Sequence, residues 1–259
     1  MSFLPLIYNK ILQYHIFLVY NQNCAVSLRS GNILKGLAKA SMVVKMTQKA
    51  KTHKMVLTAM FTAIIIAMAF VPYMGYIPLG FMNATIIHIP VIIGAIVLGP
   101  KIGAFLGGIF GLTSMINNTI NPNLTSFVFS PFYSVGEVHG NLNSVIICIV
   151  PRVLIGVVAY YVYKAVSKLI KKNGNVIALA VAGVAGSLTN TILVMNGIYF
   201  LFGSSYAAAK GIMTEALYGV ILGVIGTQGI PEAVVAGVLV SAITKAILKV
   251  ANKSSLLPN

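Results

Sequence analysis

Long apolar runs separated by short basic breaks dominate this chain, and they leave little choice of solvent. Against eighteen Lys and Arg there are three acidic side chains in 259 residues, and 58% of the residues are apolar. Mean hydropathy is +0.93. A soluble domain of this size needs far more charge to wet its surface, so most of the chain is expected to face lipid. The formal charge of +15 does not point to nucleic acid. The basic residues sit at the ends of apolar runs, as in loops on the positive side of a membrane, and form no continuous basic face.

The runs predict an all-α membrane protein of six transmembrane helices. The first span is Met55 to Val71, closed by Pro72 and Gly75. The second is Thr85 to Leu98, which is short for a bilayer core of ~30 Å. Gly99-Pro100-Lys101 is a tight turn into a third span, Ile102 to about Asn117. A long polar connection runs from Asn117 to Asn143. The fourth span is Ser144 to Val162, the fifth Val176 to Phe202, and the sixth runs from Pro231 to near Leu248. Pro231 suits a first helical turn, where its missing N–H is not needed.

Charge sets the expected orientation. With six crossings, Lys49, Lys51, Lys54, Lys101, Lys164, Lys168, Lys171, Lys172, Lys245, Lys249 and Lys253 fall on one side. The other side carries Lys210 with Glu137, Glu215 and Glu232. Both ends of the core are therefore expected in the cytoplasm of a cell-membrane protein. Ile212 to Gly226 is apolar enough for another span, but a seventh crossing would put the C-terminal lysines outside. It is expected to lie over the outer face as an interfacial or re-entrant segment.

The first 45 residues break the pattern. Met1 to Tyr20 is apolar but interrupted by Pro5, Lys10 and His15, and it lacks a small-residue cleavage site. Asn21 to Lys45 reads as a basic linker, whereas Met46-Thr47-Gln48-Lys49 leads directly into the first span. The expectation is an N-terminal extension over residues 1–45 with Met46 as the natural start, a six-helix domain over 46–253, and a tail over 254–259. A peripheral amphipathic helix is the alternative for the extension.

Small residues recur every fourth position in three spans: Ala59, Ala63 and Ala67; Gly103, Gly107 and Gly111; and Ala233, Gly237 and Ser241. Such spacing lines one helix face and lets another helix approach closely. Packing within the chain is the better reading for the glycines. For the alanines, spacing leaves open a partner helix.

Polar groups inside apolar runs are the candidate functional residues. Arg152 lies near the middle of the fourth span, where an unpaired guanidinium costs ~3 kcal/mol or more. It needs either a pairing with Glu232 or a ligand, and the sequence leaves both open. Asn190 lies mid-span, with Asn196 and Tyr199 toward the outer end, but the three do not share one strict face. His88 stands beside Pro90, a position commoner for packing than for chemistry. Asn117, Asn118, Thr125 and Ser126 offer hydrogen bonds in the outer connection, and Phe127, Phe129, Phe132 and Tyr133 offer apolar surface. That mixture suits a small polar organic ligand. The sequence has no Walker A loop, HExxH, paired carboxylates or Cys–His cluster, so it suggests neither an enzyme nor a metal or cofactor site.

Four stretches carry a family resemblance: HIPVIIGAIVLGPKIGAFLGGIFGLTS (88–114), CIVPRVLIGVVAYYVYK (148–164), GSLTNTILVMNGIYF (186–200) and IPEAVVAGVL (230–239). Together with the Ala59, Ala63, Ala67 pattern they resemble the S components of energy-coupling factor (ECF) vitamin transporters. The resemblance implies six helices and a vitamin site at the outer face, with no ATPase in this chain. It implies docking through the alanine face on a transmembrane coupling protein that works with two ATPase subunits. NNTINPNLTSFVFSPF (117–132) looks most like the pantothenate-type members. Riboflavin, folate, pyridoxine and the thiamine-precursor pyrimidine stay open as cargo, and a stand-alone carrier or channel is the competing class. On this reading the substrate-binding set is His88, Asn117, Asn118, Ser126, Arg152, Asn190, Asn196, Tyr199 and Glu232.

Overall fold

A computed structural model of the chain describes residues 33–71, 75–78, 83–136, 138–171 and 175–253. Most of the 1–45 extension, Pro72, Glu137, Lys172 and the 254–259 tail lie outside them. The chain divides into Met1–His53 and Lys54–Asn259, and the packing described below belongs to the second unit.

The main elements are helices. Helix α1 is Ile33–Phe70. A two-stranded antiparallel hairpin follows, β1 (Tyr76–Pro78) paired with β2 (Asn83–Thr85), Tyr76 opposite Thr85. Helices α2 (His88–Leu98) and α3 (Pro100–Ile120) are separated by Gly99. Gly99 has φ 101°, a conformation open to glycine, and Pro100 starts α3 where its lost N–H costs nothing. A 3₁₀ turn (Ser126–Val128) and a small hairpin, β3 (Ser134–Val135) with β4 (Val138–His139), fill the connection to α4 (Leu142–Ile170). Helix α5 is Val176–Lys210 and bends at Phe202, where φ is −135°. After a 3₁₀ turn at Thr214–Ala216 come α6 (Leu217–Val224), a π-helical stretch (Ile225–Gly229) and α7 (Ile230–Lys253).

Four helical stretches are long and apolar enough to cross a membrane: Lys51–Phe70, Leu142–Ile170, Val176–Lys210 and Thr214–Val250. The eleven residues of α2 reach only about 16 Å. The helical reading of the sequence holds, with two minimal hairpins added. Several boundaries differ. Helices α3, α4 and α5 extend beyond the expected spans at their polar ends. The largest correction concerns Ile212 to Gly226, which forms no separate interfacial or re-entrant element. It runs through the π stretch directly into α7. The expected start of the last span at Pro231 is corrected with it. In a regular helix the Pro231 ring would press on the carbonyl four residues back. The π stretch relieves this by widening the turn, and the Ile230 N–H donates to the Ile225 carbonyl, five residues back.

Close helix contacts organise the core. A methyl group on Gly103 would meet Ala95 and Gly156, one on Gly107 would meet the Arg152 carbonyl, and one on Gly111 would meet the Cys148 carbonyl at 2.8 Å. The glycine face of α3 therefore lies directly on the α4 backbone. Gly183 of α5 and Gly237 of α7 repeat the arrangement: a methyl group on Gly183 would lie 2.8 Å from the Ala236 carbonyl and 3.0 Å from the Gly237 Cα. By contrast, Ala59, Ala63 and Ala67 of α1 are exposed, while Phe61, Ile65 and Ala69 are buried on its inner face.

Candidate functional site

A cavity of about 620 Å³ lies at the end of the helices away from the Lys101, Lys164, Lys168, Lys245 and Lys249 positions. The C-terminal ends of α1 and α3, the N-terminal half of α4, the C-terminal half of α5 and the π stretch with the start of α7 enclose it. Its volume lies within the range of small-molecule sites.

Of the residues singled out from sequence, Asn117, Asn118, Arg152, Asn190 and Glu232 line this cavity, with Thr125 and Phe129. Arg152 is 6% exposed. Its place follows from its neighbour. Pro151 lies inside α4 and has no N–H to give the Ile147 carbonyl, four residues back. The Arg152 guanidinium fills that vacancy, Nη1 donating to the Ile147 carbonyl at 2.7 Å. The cation also lies 5.2 Å from the Phe129 ring centroid and 5.7 Å from that of Phe110. Its Nε has no hydrogen-bond partner. Asn190 is 9% exposed, and its Oδ1 is likewise without a partner. A buried donor and a buried acceptor thus stand unsatisfied on two of the residues that line the cavity.

The Arg152–Glu232 pair that the sequence left open does not form. Glu232 Oε1 instead accepts the Thr85 N–H at 2.8 Å, tying hairpin β1–β2 to α7, and accepts from Gln228 Nε2 at 3.3 Å. Among the described residues no cation lies within 4.0 Å of this carboxylate.

The asparagines are held by the polar connection. Asn118 Nδ2 donates to the Ser114 carbonyl at 2.9 Å, and Asn117 Oδ1 accepts from Asn121 at 3.0 Å. Ser126 is fully buried behind them. Its hydroxyl lies 2.9 Å from Asn118 Oδ1 and 3.2 Å from Asn123 Oδ1, so it braces the wall without forming it. The capping residues of α4 anchor the same loop. Asn141 caps the helix with Ser144, and the Ser144 hydroxyl donates to the Phe127 carbonyl at 2.7 Å.

Three expected residues lie elsewhere. His88 is 2% exposed in the core at the start of α2. Asn196 donates to its own helix at the Ile192 carbonyl, 2.8 Å away. Tyr199 packs edge-to-face on Phe200 and Tyr218. The sequence reading missed Tyr206, Lys210 and Gln228, all of which line the cavity. Gln228 stands four residues before Glu232, the spacing of facing side chains on a helix. That spacing carries the signal once the segment is read as continuous helix. Among the described residues no three His, Cys, Asp or Glu gather as a metal site.

A bundle of membrane helices around a polar pocket is the arrangement of a membrane substrate-binding protein. Residues 53–244 match the family model described as the substrate-specific component of ECF transporters, and the chain belongs to this family. It is therefore a membrane transport subunit of the kind that works with an energy-coupling module. Two relatives are similar over most of their length. The pantothenic acid transporter PanT of Lactococcus lactis subsp. cremoris is 34% identical over 212 residues, covering 80% of this chain and 100% of the relative. The pantothenate transporter PanT of Leuconostoc mesenteroides subsp. mesenteroides is 28% identical over 215 residues, covering 80% and 97%.

Proposed function

We propose that this chain captures pantothenate at the outer face of the cell membrane and hands it to an ATP-driven coupling module. The observation that carries the reading is a cavity lined by one mid-span cation, Arg152, together with the side-chain amides of Asn117, Asn118 and Asn190. Pantothenate carries one carboxylate for the guanidinium, and its amide and hydroxyls can use Asn117, Asn118, Asn190 and Glu232. The names of the two relatives support the same cargo.

The module is read as a transmembrane coupling protein with two ATPase subunits, docked on the exposed Ala59, Ala63 and Ala67 face. The topology is read as six crossings with both core ends cytoplasmic. Cysteine labelling at positions 171 and 210 tests it, and labelling of both from outside would sink it. Met46 is read as the natural start, so a chain beginning there should insert and bind as the full chain does.

Calorimetric titration of the detergent-purified protein with pantothenate tests the cargo. Arg152→Gln should weaken binding about ten- to a hundredfold through loss of a charge-assisted contact. Unchanged affinity in a folded Arg152→Gln protein removes Arg152 from the site. Wild-type protein that binds no pantothenate, and co-purifies with another vitamin by mass spectrometry, replaces the cargo.

A further inference from the structure

The cavity wall carries charges of both signs that do not neutralise each other. Arg152, Lys210 and Glu232 all line it, and among the described residues no ion pair joins Glu232 to either cation. The carboxylate is fixed in place through Oε1, which takes the Thr85 N–H and the Gln228 amide, while Oε2 takes no hydrogen bond from the described residues. When ionised, this carboxylate puts a negative potential in the wall, and a half-buried setting screens it less than open water would.

We infer that Glu232 is a specificity-determining residue that admits monoanions with an uncharged, hydrogen-bond-donating far end and rejects ligands that carry a second anionic group there. The inference rests on the cargo proposed above. A ligand whose carboxylate meets Arg152 must present its other end to the rest of the wall. A hydroxyl there donates to the Glu232 carboxylate. A phosphate in place of that hydroxyl meets a like charge in a confined site, and discrimination then comes from a repulsive element built against the wrong ligand. Free pantothenate belongs to the first class, and pantothenate phosphorylated on its terminal hydroxyl belongs to the second.

The test is calorimetric titration of pantothenate and 4′-phosphopantothenate into the full-length wild type, Glu232→Gln and Glu232→Asp. The wild type should bind the phosphorylated compound far more weakly than pantothenate. Glu232→Gln should move the two affinities in opposite directions, weakening pantothenate about three- to tenfold and strengthening the phosphorylated compound on the order of tenfold or more. Glu232→Asp, which keeps the charge, should keep the wild-type preference. An unchanged preference in Glu232→Gln overturns the filter and leaves the pantothenate reading standing. Loss of all binding in both variants also overturns it, because Glu232 is then a prop for the hairpin. A wild type that binds no pantothenate overturns the cargo and this inference together.

Discussion

Helices α1 and α3 carry the same small-residue spacing and put it to opposite uses. On α3, Gly103, Gly107 and Gly111 lie against the α4 backbone, closer than any side chain allows. On α1, Ala59, Ala63 and Ala67 face outward, and the helix is held by the larger residues of its other side, Phe61 and Ile65. Residue size separates the two cases. Glycine permits backbone-to-backbone contact inside one chain, whereas alanine leaves a shallow, smooth face that costs little when bare in lipid. Spacing alone identifies a contact surface. What touches that surface depends on where the helix's bulky residues go.

Substitutions on the two faces should differ most sharply in the stability of the isolated protein. Gly107→Ala should have the largest effect. Its methyl group would meet the Arg152 carbonyl, a backbone atom that cannot rotate aside. Overpacking of this kind costs about 1–3 kcal/mol and should lower the unfolding temperature in detergent. It should also weaken pantothenate binding, because Arg152 sits on the displaced segment. Gly237→Ala should be milder. The nearest neighbour of its methyl is a Val184 side-chain carbon at 3.0 Å, which can give. The helix-propensity gain of up to ~1 kcal/mol also offsets part of the strain. Ala63→Leu should have the smallest effect, within about 0.5 kcal/mol by the same measurement. It should leave ligand binding intact and still abolish co-purification with the coupling module. If Ala63→Leu destabilises the isolated protein as much as Gly107→Ala, the contrast between the faces fails. Normal co-purification would remove the alanine face from docking.

Much of this architecture is legible in the sequence because lipid imposes strict rules. The apolar runs mark the helices, the lysines mark their ends, and Gly99-Pro100 marks a turn. Polar residues inside a run are expensive, so Arg152 and Asn190 stand out by residue type and position alone, and both line the cavity. Polarity does not give direction, however. Asn196 satisfies itself on its own helix, and Tyr199 finds aromatic neighbours. Lys210 reads from sequence only as a marker of the outer side. Gln228 is hidden as long as Pro231 is taken to begin a helix. A π stretch carries helix through that proline, and no periodicity argument based on 3.6 residues per turn registers it. The same stretch places Gln228 and Glu232 together on the wall.

The contact between Arg152 and the carbonyl left free by Pro151 has a consequence for how such a site can arise by mutation. An arginine introduced into an unbroken helix here would find the Ile147 carbonyl already engaged in the helix ladder. A proline introduced alone would strand that carbonyl in an apolar surrounding. Each change is a defect by itself, and the two together supply donor and acceptor to one another. Positions 151 and 152 are therefore expected to change jointly along a lineage, and reversion of either should be harmful while the other remains. Once both are in place, the pair is hard to lose, and the positive charge at the cavity becomes a lasting feature of the chain.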